Sequence, residues 1–310
     1  MDAVGVAVRL ALCLDLTALF GLAAFGLYGL PGEARRSGGT IRFRPLIAGA
    51  AALGLVFSGA GLVTLAASMA GVPLASVDFA TMEMIVTATK IGTAWIVRVA
   101  ALGLVFVLAL AVWRRPILIL TGAMMAGAVA LASLAWTGHG ARDEGPAGWI
   151  HLTADIAHLL AAGIWVGALL ALLLLVFQRP GRVDRDHLIL SQRALAGFSS
   201  VGTLTVAVII ISGLVNGWML IGPANVVKLS ISLYGQLLIA KLLLFGAMLV
   251  LAAANRFRLV PAFERSLAEN DHAAALNALR RSLAIEASCA LGVLALVAWL
   301  GTLEPPMAAA

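Results

Sequence analysis

A chain of 310 residues that is 62% hydrophobic and 12% charged, with mean hydropathy +1.04, has too little polar surface to cover a water-soluble core. Its net charge of +6 sits in short clusters between apolar runs of roughly twenty residues, the length of a bilayer-crossing helix, so no basic stripe is left for nucleic acid. Two cysteines, Cys13 and Cys289, both inside apolar runs, exclude a disulfide framework or a CxxC site.

The first span runs from about Ala3 to Leu30 and is interrupted by Arg9 and Asp15. With no basic n-region and an acid mid-run, it reads as a mature helix and not as a cleaved signal. Pro31, Gly32, Gly38 and Gly39 break it before a loop holding Arg35, Arg36, Arg42 and Arg44. A second span covers about Leu46 to Ala70 and contains Ser58-Gly59-Ala60-Gly61, small residues that allow close helix approach. Gly71 to Lys90 is only half apolar and reads as an interfacial hairpin leading into the third span, Ile91 to Trp113, which contains Arg98. Pro116 starts a fourth, which runs to Thr137.

After a loop with His139 comes the run from Trp149 to Phe177, whose first ten residues hold His151, Asp155 and His158. A basic loop follows, then a sixth span from about Ala196 to Ile221 and a seventh from Leu233 to Ala254, with Lys241 inside it. Asn255 to Arg281 is charged and helix-forming, and an eighth span covers Leu283 to Leu303. The expected fold is therefore an all-α polytopic transmembrane bundle of about eight helices.

Charge orients it. The loops after spans one, three, five and seven hold fifteen Lys and Arg residues, and those after two, four and six hold two, or three with Lys90. The positive-inside rule then puts both termini and the His139 loop outside, in a bacterium the periplasm. Ser58-Gly59 matches Ser212-Gly213, and Gly92-x5-Arg98 matches Gly235-x5-Lys241. These matches suggest a four-plus-four repeat, with halves at 1–137 and 138–310.

His151, Asp155 and His158 lie within roughly 60° of one another on a helix. Ionisable groups are expensive in hydrocarbon and mark functional sites, although a water-facing helix end bonded to its neighbours gives the same pattern. Asp155 can share one ion with either histidine. The two histidines, about 10 Å apart along the axis, cannot share one with each other, so the spacing suggests a ladder of steps or two sites. His139 lies in the same outer loop. Met69, Met82, Met84 and Met219 fall at predicted outer ends, and thioether sulfur selects Cu(I) where imidazole and carboxylate suit Cu(II) or Zn(II). Asp15, Arg98 and Lys241 read as structural charges inside the bundle, with Asp15 neutralising one of the two cations. His187 and His272 belong to inside loops and read as solvated. No nucleophile–base pair, P-loop, Rossmann glycine pattern or HExxH occurs, so the expectation is a protein that is not an enzyme.

The motif Asp155-Ile-Ala-His-Leu-Leu-Ala-Ala-Gly-Ile-Trp-Val-Gly167 resembles the CopD/PcoD family of copper-resistance inner-membrane proteins. So do Tyr234-Gly-Gln-Leu-Leu-Ile-Ala-Lys241, Asn255-Arg256 with Pro261, Leu279-Arg-Arg-Ser-Leu-Ala-Ile-Glu286 and Leu300-Gly-Thr-Leu-Glu-Pro-Pro306. The resemblance is strongest from Gly138 to Pro306. It names copper as the ion and implies copper transport or transfer across the bacterial inner membrane, beside a periplasmic CopC-type partner. Two other readings stay open at this stage: a b-type haem electron carrier using His158, and a copper sensor or assembly factor that conducts nothing.

Overall fold

The computed structural model describes residues 3–32, 41–112, 115–137, 145–178, 185–269 and 273–304. Among them are eight helices long and apolar enough to cross a membrane, and no strand. In chain order they are α1 (Ala3–Tyr28), α2 (Phe43–Ala70), a short α3 (Phe79–Ala88), α4 (Lys90–Ala111) and α5 (Pro116–Ala132). There follow α6 (Gly145–Val176), α7 (Arg185–Ile221), α8 (Leu233–Ala254), a second short helix, α9 (Val260–Ala268), and α10 (Ala273–Leu300). A π-turn, Asn255–Leu259, joins α8 to α9.

The largest differences from the sequence reading are three. Helix α7 begins about three turns before Ala196, because Leu188, Ser191, Ala194 and Leu195 give that charged stretch a buried face. Helix α10 likewise starts at Ala273, with Leu276 and Leu279 buried ahead of the apolar run. The segment between α2 and α4 is a helix and not a hairpin: Asp78 caps α3 by accepting from Thr81 N–H at 2.8 Å.

Helices α1 and α6 form the centre. Gly21 of α1 lies so close to Gly163 and Gly167 of α6 that a Cβ on Gly21 would sit 2.6 Å from Gly167 Cα. Without a hydrophobic drive between helices in lipid, such backbone-to-backbone contact is a main source of association. Around α1 the N-terminal half closes into a ring, α1 on α2, α2 on α4, α4 on α5 and α5 back on α1. The C-terminal half does not close. Helix α6 packs on α7 and α10, and α10 on α8, while α7 and α8 share no seam along their lengths.

Arg9 Nη1 donates to Gly301 O at 3.0 Å, so the described ends of α1 and α10 meet at the same end of the bundle. At the opposite end, basic side chains satisfy the carbonyls that a helix C-terminus leaves unpaired. Arg44 Nε donates to Ala109 O at 2.7 Å, and Arg280 Nε donates to Val176 O at 2.6 Å. His187 belongs with them, its Nε2 lying 2.9 Å from Leu175 O. That contact corrects the expectation of a solvated side chain.

The sequence matches between the two halves have a local counterpart in the structure. Thr89 and Ser232 each cap the next helix, accepting from Gly92 N–H at 2.9 Å and Gly235 N–H at 3.1 Å. At both glycines a Cβ would collide with backbone of the preceding turn, at Ile85 and Val86 or at Leu229. The matched cations Arg98 and Lys241 then follow at the same register, and the matched serines Ser58 and Ser212 are both buried.

Candidate functional site

Helix α6 places His151, Asp155 and His158 on successive turns of one face. Position in the run would make His151, nearest the polar end, the outer and more exposed histidine, but the order is reversed. His151 is 2% exposed, whereas Asp155 and His158 are half-buried. The helix starts at Gly145, so His151 already lies more than a turn inside it and is sheltered, together with Leu152.

His158 Nδ1 lies 3.0 Å from Ser212 Oγ on α7. The Ser212 hydroxyl donates its one proton to Val208 O at 2.6 Å, which leaves its oxygen to accept from the ring. The ring therefore donates from Nδ1 to Ser212, the kind of hydrogen bond that fixes the orientation of a metal-ligating histidine. The next polar residue on α7, Asn216, reaches Asp155 Oδ1 through Nδ2 at 3.5 Å.

Asp155 is also the electrostatic hub of the layer. It interacts with His151, with Lys241 from α8 and with Arg9 from α1. Lys241 acts in turn on His158 and Cys13. The side chains converge from helices distant in sequence: Arg9 and Cys13, then Asp155 and His158, Ser212 and Asn216, and Lys241. They gather where α7 and α8 fail to close.

This arrangement corrects the pairing expected for Asp15. No ion pair joins Asp15 to Arg98 or Lys241 among the described residues. Lys241 faces Asp155 across the C-terminal half, while Asp15 turns toward α2, where a Cβ on Gly54 would meet its Oδ2 at 2.6 Å. Asp15 Oδ2, Ser58 Oγ and Arg98 Nε and Nη1 are buried without hydrogen-bond partners. These three residues mark one level of the closed ring.

The methionines do not gather around α6. Met69 and Met84 are 56% and 49% exposed, and Met82 is half-buried, all on α2 and α3 of the N-terminal half. Of these four, Met219 stands on a helix that packs against α6, three residues beyond Asn216. His139 and His272 lie outside the described residues. Among the described residues no group of three or more His, Cys, Asp or Glu side chains is placed to hold one ion.

Two residues escaped the sequence reading. Arg9 was visible as an interruption of the first span, but the residues it acts with, Gly301 and Asp155, lie in the other half of the chain. Glu286, only 2% exposed, accepts from Trp165 Nε1–H at 2.9 Å and Asn255 Nδ2–H at 2.9 Å. The available signal was an acid three residues inside the span expected from Leu283, masked by Arg280 and Arg281 just before it.

Comparison with known proteins follows this geometry. Residues 1–149 match the sequence model described as Copper resistance protein D-like, N-terminal domain, and residues 192–300 match that of Copper resistance protein D. Most of α6 falls between the two matched segments. The chain is 46% identical to Copper resistance protein D of Pseudomonas syringae pv. tomato, over 99% of each chain. It is 29% identical to Inner membrane protein YebZ of Escherichia coli (strain K12), over 97% of this chain and 98% of that one. It is 34% identical to Copper transport protein CutJ of Bacillus subtilis (strain 168), over 46% of this chain and 24% of that one. No solved structure matches. Two matched segments from one family, and an identity that high along the whole length, establish that the chain belongs to the Copper resistance protein D family.

Proposed function

We propose that this protein transports or hands on copper across the bacterial inner membrane, and that the copper path is the polar layer between α6, α7 and α8. The observation that carries the reading is His158: embedded in a span, its ring held through Nδ1 by Ser212, one turn from Asp155, at the open side of the C-terminal half. The names of the full-length relative and of CutJ supply copper as the cargo.

In this reading copper passes between His151 and His158 with Asp155 between them. The layer's charges favour a monovalent ion. Arg9 and Lys241 together outweigh Asp155, so with neutral histidines the layer is net positive and repels Cu(II) about twice as strongly as Cu(I). Met219 adds a thioether on the neighbouring helix, in keeping with Cu(I). The loop charges favour both termini at the periplasm, where a CopC-type protein would deliver or receive the ion. No bond is made or broken, and the protein acts as a conduit and not as an enzyme.

Copper movement into sealed vesicles of known orientation, with and without the protein, tests this. Flux only with the protein supports it. Absence of flux, or a Soret band in the purified protein, overturns it in favour of a sensor or a haem carrier. Reporter fusions at Gly181 and Asn270 should read as cytoplasmic and one at Gly145 as periplasmic; the reverse pattern would sink the orientation.

A further inference from the structure

Glu286 lies at the other level of the C-terminal half, and the copper layer does not use it. On α6, Trp165 follows His158 by seven residues, about 10 Å nearer the end away from the termini. The carboxyl has hydrogen bonds from two other elements: Trp165 Nε1–H to Oε1, and Asn255 Nδ2–H from the π-turn to Oε2. Phe245 of α8 packs edge-on against Trp165, with ring centroids 5.9 Å apart.

The elements packed on α10 carry other ionisable groups. These are Arg9 and Asp15 on α1, His151, Asp155 and His158 on α6, Lys241 on α8, Arg256 and Arg258 in the π-turn, and Glu264 and Arg265 on α9. Its own helix adds Arg280 and Arg281. None of them exerts a charge effect on Glu286, whose surroundings are set by burial and the two hydrogen bonds. Arg256 is turned to Ser199 and Thr203 of α7, and Arg280 to Val176.

A lone carboxyl inside a membrane bundle, without a counter-ion, is a functional group by default. A π-turn beside it is a further mark, since such turns concentrate at functional sites. The cluster also supports both states of the acid. The anion takes two donors. The protonated form needs an acceptor for its new O–H, and two buried acceptors stand unused, Asn255 Oδ1 and Ser282 Oγ one turn before Glu286 on α10. Rotation of the Asn255 amide exchanges its donor edge for its acceptor edge.

We propose that Glu286, with Asn255, Ser282 and Trp165, forms a proton-binding site, and that the ion coupled to copper movement is H+. One proton adds to a carboxylate oxygen and leaves again; nothing is oxidised or reduced. The coupling half of this proposal rests on the transport reading, whereas the proton site does not.

The copper-free arm is an infrared pH titration of the purified protein. A carboxylic-acid carbonyl band should appear on acidification, vanish in Glu286→Gln and shift in Trp165→Phe, which removes one donor. A band unchanged by both substitutions overturns the proton site. If Glu286→Gln does not accumulate, the Trp165→Phe shift decides alone. The second arm measures copper flux in vesicles under an imposed pH gradient. The wild type should respond several-fold and Glu286→Gln should not respond. An equal response in both overturns the coupling. Absence of flux in the wild type overturns the transport reading and the coupling together, and the titration still decides the proton site.

Discussion

The two halves share local features and differ in how they close. Each has a capped helix entering on a buried glycine, a cation two turns later and a buried serine on the preceding span. In the N-terminal half four helices close around Asp15, Ser58 and Arg98, and those groups keep unpaired polar atoms in the interior. In the C-terminal half α7 and α8 stand apart, and Asp155, His158, Ser212, Asn216 and Lys241 interact with one another at the opening. A similar layout yields a closed ring of helices in one half and an unclosed one in the other. Position along the membrane is therefore a poor guide to role; what matters is whether the ring of helices closes.

The contact joining the halves gives the largest expected effect. Gly167→Leu must push α1 from α6, and overpacking at this backbone contact costs about 3 kcal/mol or more. Little protein should accumulate in the membrane. Gly246→Leu, where a Cβ meets nothing within 4 Å, should accumulate normally. Equal abundance of the two variants would show that the halves are held elsewhere.

The next effect separates the polar layers. Asp155→Asn leaves Arg9 and Lys241 without their shared counter-charge, and breaking such a buried arrangement costs roughly 3 kcal/mol. Melting in detergent should show the loss, and Lys241→Met in the same chain should restore part of it. A double variant no more stable than the single one would remove Asp155 as the hub.

The smallest effect belongs to the closed half. Arg98 has Nε and Nη1 unbonded, so Arg98→Met should leave stability within about 1 kcal/mol of the wild type, or raise it. A large loss would mean that Arg98 has a partner and that the closed half is organised by charge after all.

Much of this was legible in the sequence, because hydropathy and charge act locally. The seventh span was read as Leu233 to Ala254, the bounds that α8 has, since Ser232 caps it and the apolar run ends at Asn255. The common face of His151, Asp155 and His158 follows from helical period alone. Partner choice does not. Lys241 could be paired on paper with Asp15 as well as with Asp155, and only the direction in which α1 faces separates them. The exposure of His151 was misread for a related reason, since periodicity gives a face but not what covers it. The methionines at one membrane level are spread over different sides of the bundle, which depth alone does not reveal.

The central claim is that copper passes through the open half by way of His158. Its most direct test is copper flux into oriented sealed vesicles containing His158→Ala or Arg98→Met, at matched protein abundance. The account predicts that His158→Ala loses flux by roughly ten-fold or more, the scale expected when metal coordination is damaged, and that Arg98→Met transports as the wild type does. Normal flux through His158→Ala would contradict it and make the α6 layer structural.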